Sequence, residues 1–269
     1  MTATATTPET ILTSLEDHVL TITLNRPDTY NAFSDQLSRE LLATLKDAGR
    51  NRDARVLVIT GAGKAFSSGQ DLAELKERYV PGHEPHLGKD LDKRYNPIIR
   101  AICAMEKPVI AAVNGVAAGA GCSLALACDL RLASEKASFV EVFVNVGLVP
   151  DSGSSFFLPR LIGHARAMEL CCTGRPVDAA EALTLGIVNR VVPPDELAAA
   201  TTKMATKLAA MPARALALTK RLLVQSATNS LEEQLTAERF AQETAGRTAD
   251  HTEGVLAFLE KRKPAFRGE

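Results

Sequence analysis

Asn114-Gly-Val-Ala-Ala-Gly-Ala-Gly-Cys-Ser-Leu124, entered from the apolar run Val109–Val113, decides the fold. The run reads as a buried strand and Asn114-Gly115 as a turn, and the small residues from Gly119 onward open a helix that another backbone can approach closely. The same device occurs upstream. A strand over 56–60 runs into Gly61-Ala-Gly-Lys-Ala-Phe-Ser-Ser-Gly-Gln-Asp-Leu72, where Gly69 permits a sharp turn before a helix predicted near Asp71. Each segment leaves backbone N–H groups without partners at the head of a helix. Two such amides converging on one oxygen would form an oxyanion hole, aided at the second by the positive end of its helix. Neither segment is a nucleotide loop: Phe66 stands where a dinucleotide fingerprint needs its third glycine, and no P-loop Gly-Lys-Ser/Thr occurs. Taken singly, each could also be nothing more than a turn with close helix packing.

Working outward, short β-branched runs alternate with helical patterns. Strands are predicted over 18–24, 56–60, 109–113, 129–133, 138–140 and 187–192. Helices are predicted over 34–51 and 87–105, from Gly119, near Ser154 and Ala165, and from Asp178. This is an α/β pattern. From residue 194 the chain turns helical only, rich in Ala, Leu, Lys and Glu and broken at Met211-Pro212 and near Gly246. Residues 1–193 therefore read as a core, and 194–269 as a helical region suited to contacts between copies.

The 269 residues are 46% hydrophobic, enough to bury a large core, and the net charge of −1 offers no field for a polyanion. Nucleic acid is thus not an expected partner. Five cysteines, an odd number without a Cys-x-x-Cys pair, read as mostly buried free thiols of a reducing, cytoplasmic protein, with neither zinc nor disulfides. Residues 1–9 carry no basic start or apolar core and read as a frayed tail. The charge-free run 109–128 has about the length that spans a bilayer, but the Asn114-Gly115 turn and its many Ala and Gly residues argue against a membrane helix.

Among candidate reactive groups, Asp151 in Gly147-Leu-Val-Pro-Asp-Ser-Gly153 follows an apolar segment at a Pro-marked turn. There it can either cap the helix beginning near Ser154 or serve as a proton-transfer base raised in pKa by Phe143, Leu148 and Val149. Glu141, two residues from Phe143 in an expected strand, would share that face, although a solvated or subunit-contact role is expected for it. His83 and His86 lack nearby carboxylate or Cys ligands and are expected on the surface, so no metal is expected. The loop 78–88 and Tyr95 are expected to border the substrate pocket.

Lys64-Ala-Phe-Ser-Ser-Gly-Gln-Asp-Leu72, Asn114 through Leu124 and Cys128-Asp129 resemble the paired signatures of the enoyl-CoA hydratase/isomerase (crotonase) superfamily. Asn25-Arg-Pro, Asn31-Ala32, Leu185-Gly-Ile-Val and the ending Glu253 through Phe266 are similar to further motifs, so the likeness spans nearly the whole chain. It implies a spiral of ββα units with a C-terminal helical trimerisation region, assembled as a homotrimer or dimer of trimers. It also implies an acyl-CoA substrate, with no cofactor beyond the coenzyme A that the substrate carries. By position, the resemblance assigns the oxyanion hole to the N–H groups of Gln70 and Ala120. Substrate contacts fall to Arg26, Ala32, Ser68, Leu72, Gly119, Ser123 and Phe143, together with Lys261 from a neighbouring subunit.

This chain departs from the hydratases at the two positions where they hold glutamates, which here are Ser123 and Phe143. Adding water across a double bond needs one group to activate water and another to handle the α-proton, whereas moving a double bond needs only one shuttling carboxylate. The Gly-Leu-x-Pro-Asp-x-Gly segment with Phe143 is similar to the isomerase branch that converts ring-1,2-epoxyphenylacetyl-CoA to oxepin-CoA in phenylacetate degradation. Related members shift a double bond between the β,γ and α,β positions of enoyl-CoA. An isomerase with Asp151 as its one acid/base is therefore expected; a hydratase, another lyase or a hydrolase on a CoA thioester is the alternative.

Overall fold

A computed structural model describes residues 10–76 and 86–268. The expected tail over 1–9, His83 and most of the loop 78–88 lie outside the described residues. The chain begins with an antiparallel hairpin, β1 (Ile11–Glu16) and β2 (Val19–Leu24), followed by α1 (Asp35–Arg50). Ser34 caps α1 by accepting the Leu37 N–H. Next come β3 (Val56–Gly61), β4 (Ala65–Ser67), α2 (Leu72–Leu75), α3 (Leu87–Asp90) and α4 (Asn96–Ala104), with a π-turn at Leu91–Tyr95 joining the last two. β5 (Val109–Val113), β6 (Val116–Ala118) and α5 (Ala120–Ala127) repeat the plan of β3, β4 and α2. β7 (Leu130–Ser134) and β8 (Ser138–Val140) then lead through a 3-10 turn at Val142–Val146 to α6 (Ser154–Ile162) and α7 (His164–Thr173). The chain continues through β9 (Val177–Asp178), α8 (Ala179–Leu185) and β10 (Arg190–Val192). It ends with α9 (Leu197–Ala209), α10 (Ala213–Gln225), α11 (Leu231–Gly246) and α12 (Ala249–Leu259).

From β3 to β8 successive strands are dealt to two sheets in turn. The first is a six-stranded sheet in the order β1-β2-β3-β5-β7-β10, parallel from β2 onward. The short strands form a second sheet in the order β4-β6-β8-β9. Each ββα unit thus advances one place along both sheets, which is the spiral expected from the resemblance. β5 is apolar throughout, and β3 is apolar and buried over its first four residues, because both faces of their sheet are covered. Leu57, Ile59, Ala111 and Val113 face the main core with Leu37, Leu41 and Leu45 of α1. The alternate residues Val56, Val58, Ile110 and Ala112 face Leu197, Ala205 and Ala209 of α9. The sheet's second face is therefore sealed by chain that follows residue 193.

The structure corrects four local expectations. β1, β4 and β6 carry no strand signal of their own: β4 and β6 have three residues each and exist only by pairing. The expected helix over 87–105 is present but widened by the π-turn, in which Asn96 donates to Leu91 O. Pro97 cannot donate back to Lys93 and its ring would crowd that carbonyl, so the helical ladder opens just before it. Phe143 is in the 3-10 turn rather than on a strand, and Glu141 precedes that turn. Of the cysteines, Cys122 and Cys128 are buried, whereas Cys172 is exposed. Among the described residues no helix is long and apolar enough to cross a membrane.

Candidate active site

The site forms where the ends of β4 and β6 meet. Phe33 makes an isolated parallel bridge with Gln70: the Phe33 N–H donates to Gly69 O (2.7 Å) and the Asp71 N–H donates to Phe33 O (3.1 Å). Because successive amides alternate along an extended chain, the N–H of Gln70 itself faces away from Phe33. The second segment turns at Gly119, whose φ of 49° suits glycine and whose N–H donates to Val140 O (2.9 Å). Ala120 then opens α5, so its N–H is one of the four that a helix start leaves unpaired. The two segments touch. A Cβ on Gly69 would come within 2.7 Å of Ala118 O and 3.4 Å of Ala120 N, and one on Gly121 would come within 2.4 Å of Ser67 O. Among the described residues, neither the Gln70 nor the Ala120 N–H has a protein acceptor.

Polar side chains surround the first segment. Arg26 pairs with Asp71 (2.8 Å) and donates to Ala32 O (2.7 Å), while Ser68 donates through its hydroxyl to Thr29 O (3.2 Å). Arg94 donates to Phe33 O (3.0 Å) and pairs with Asp35 (3.1 Å). Tyr95, last residue of the π-turn, donates its hydroxyl to the side-chain carbonyl of Gln70. Leu72 opens α2 and is 64% exposed.

Asp151 lies half-buried just before α6. It does not cap that helix with its carboxylate; Gly153 is the cap residue, and the Asp151 main-chain carbonyl accepts the Ser154 N–H (3.0 Å). The capping reading open from the sequence is thus excluded for the side chain. Its carboxylate accepts the Ser152 hydroxyl (2.8 Å). Burial pushes the Asp151 pKa above the ordinary aspartate value, and the Ser152 bond opposes that rise. One contact ties Asp151 to the Ala120 segment. Ser123, in the first turns of α5, donates to the Asp151 main-chain carbonyl (3.1 Å). Tyr95 has its pKa raised by burial, and the Asp151 charge adds to the rise. Phe143 is buried with its ring 3.9 Å from the Cβ position of Gly119, walling the amide pair.

Glu141 is neither solvated nor at the surface, contrary to expectation. It is 3% exposed, accepts the Ser154 hydroxyl (2.9 Å) through one oxygen, and among the described residues has no hydrogen-bond partner for Oε2. It lines a small cavity with Cys122, Phe139, Leu158 and Arg175. Burial raises its pKa, favouring the neutral acid. Ser154 also bonds Ser123 (2.8 Å), so Glu141 stands behind the serines and away from the amide pair. Its burial had no signal in local pattern, because it depends on α5, α6 and α7 closing over it. Lys261 is exposed just beyond α12, and His86 is exposed before α3.

A fold that places two unpaired amides at adjoining ββα ends, with a raised carboxyl beside them, is matched by a model of the enoyl-CoA hydratase/isomerase family over residues 14–269, and the chain belongs to that family. It is 44% identical to 1,2-epoxyphenylacetyl-CoA isomerase of Escherichia coli (strain K12) over 263 residues, covering 97% of this chain and 99% of the relative. It is 36% identical to trans-2-decenoyl-[acyl-carrier-protein] isomerase of Streptococcus mutans over 96% of this chain and 98% of the relative. Among solved structures, enoyl-CoA hydratase from Bacillus anthracis superposes with a TM-score of 0.91 at 36% identity, covering 97% of this chain and all of the other.

Proposed function

We propose that this chain is an acyl-CoA isomerase in which the N–H groups of Gln70 and Ala120 hold the thioester oxygen and Asp151 moves the proton. The observation that carries this reading is the pairing of the two unpartnered amides with the half-buried Asp151, whose pKa burial raises, while by resemblance Ser123 and Phe143 stand at the positions of the hydratase glutamates. Removing an α-proton places negative charge on the thioester oxygen, and donors already aimed there stabilise it without reorganisation, at about 3–4 kcal/mol per donor in other enzymes. Asp151 accepts the proton and returns it elsewhere on the acyl group, and its raised pKa brings it closer to the neutral range in which such a shuttle works well. The relation to the E. coli protein supports conversion of ring-1,2-epoxyphenylacetyl-CoA to oxepin-CoA, with a β,γ to α,β shift of enoyl-CoA as the companion reaction. No cofactor is needed beyond the coenzyme A of the substrate. Arg26, Ala32, Ser68 and Leu72 would contact that group, with Lys261 supplied by a neighbouring copy.

Hydration is the second reading, favoured by the hydratase relatives. It needs a second catalytic group, and Glu141, an acid near Asp151, is buried and bonded to Ser154. Incubation with 3-hexenoyl-CoA should produce conjugated absorbance, trans-2-hexenoyl-CoA should give no 3-hydroxyacyl-CoA, and Asp151→Asn should slow the first reaction by about 10²–10⁴-fold. Hydroxyacyl product at a comparable rate would favour the hydratase. Exposed Leu223, Phe240, Phe258 and Leu259 on the last three helices support a homotrimer or a dimer of trimers, which light scattering of the purified chain would measure.

A further inference from the structure

The Gln70 side chain is held at both ends: its Oε1 accepts the Tyr95 hydroxyl, and its Nε2 donates to Asp71 O (3.3 Å) and Phe33 O (3.5 Å). Gln70 is thereby folded back along its own main chain onto the carbonyl of the next residue, Asp71, one residue beyond the N–H that is open to a ligand. A long side chain with three free torsions would not stay in that arrangement without a fixed partner. Tyr95 is such a partner. Its ring packs on Phe33, centroids 5.6 Å apart, it is 6% exposed, and the π-turn ahead of Pro97 turns it toward Gln70. Burial also keeps the phenol protonated, so the donor persists across the working pH range.

We infer that Tyr95 is a positioning residue for the oxyanion amide, acting through the Gln70 side chain to fix the peptide that presents the Gln70 N–H. The inference rests on the proposed role of that N–H and extends it to a residue that need not touch the substrate. Without the hydroxyl, Gln70 Oε1 loses its donor, the side chain can leave Phe33 and Asp71, and the amide loses alignment without losing its chain path, which Arg26, Asp71 and the Phe33 bridge maintain.

The test is the carbonyl stretch of bound acyl-CoA labelled with ¹³C at the thioester carbon, using phenylacetyl- and hexanoyl-CoA as probes. Wild-type protein should shift that band to lower frequency. Tyr95→Phe, which keeps the ring, should lessen the shift and lower kcat about tenfold, a fraction of the loss of a whole donor, with KM little changed. Gln70→Met removes the same link from its other end while keeping the backbone N–H. It should reproduce the effect, and the double variant should add nothing. A full shift in Tyr95→Phe, or losses that multiply in the double variant, would overturn the clamp while leaving the amide pair in place. No shift in wild type would instead remove the amide pair, and the clamp with it.

Discussion

The chain around Gln70 is held by polar side chains, whereas the chain around Ala120 is held by the lack of side chains. On the first, Arg26, Asp71, Arg94, Tyr95 and Gln70 itself form bonds that can be weakened one at a time. On the second, Gly119 and Gly121 let α5 come against β4 and the Phe143 wall: a carbon added at Gly121 would meet the Ser67 backbone, and one added at Gly119 would be strained at φ of 49°. The two amides share one role in the proposed function but differ in tolerance. Conservative changes can tune the first, and the second accepts almost none.

Asp151→Asn sets the scale for this contrast, because it disturbs neither segment and removes only the base. It should lower kcat by about 10²–10⁴-fold while leaving acyl-CoA binding near wild type; steady-state rates with titration of a non-reacting acyl-CoA would measure both. Gly69→Ala attacks the contact between the two segments. At φ of 89°, with Ala118 O 2.7 Å from the new carbon, it should displace both amides and cost about 10²–10³-fold in kcat. A loss no larger than that of Tyr95→Phe would erase the difference between bonds made by polar side chains and contacts made at glycines.

Ser152→Ala should have a smaller effect, seen in the pH profile. The Ser152 hydroxyl donates to the Asp151 carboxylate and lowers its raised pKa, so its removal should move the acid limb of kcat/KM to higher pH. The sign follows because the base works deprotonated, so activity appears as pH climbs through the native pKa. The smallest effect belongs to Glu141→Gln, behind the site. Burial raises the Glu141 pKa, so its contribution to stability is full below the unfolded value and declines as pH rises through the native one. The melting temperature of Glu141→Gln relative to wild type should therefore increase between pH 5 and pH 8, each 1 kcal/mol reading as about 2–4 °C. A difference that stays flat with pH would show that Glu141 carries the same charge folded and unfolded.

Much of the architecture was legible because strand, turn and helix signals are local. Val109–Val113 is apolar at every position, Asn114-Gly115 breaks it, and small residues from Gly119 open a helix, all within reach of neighbouring side chains. The three-residue strands β4 and β6 were not legible, since they hold together only against β8 and one another. Nor was the sealing of the main sheet by α9, whose Leu197 and Ala205 meet Val58 and Ile110 only after the whole chain has been wound. In the site, Asp151, Gln70 and Ala120 were singled out from sequence and motif resemblance. The burial of Glu141 behind Ser154 and the hydroxyl of Tyr95 on Gln70 were not, because each bond joins residues 13 to 25 apart with no periodic relation.

The sequence by itself determined the alternation of strands and helices and the two glycine-rich turns, since these depend on residue type and near neighbours. Only the tertiary structure decided that the two turns adjoin, that Asp151 is not a cap, and that Tyr95 reaches the Gln70 side chain. These are distances between segments, and they are fixed by how two sheets and a π-turn pack together rather than by any local preference.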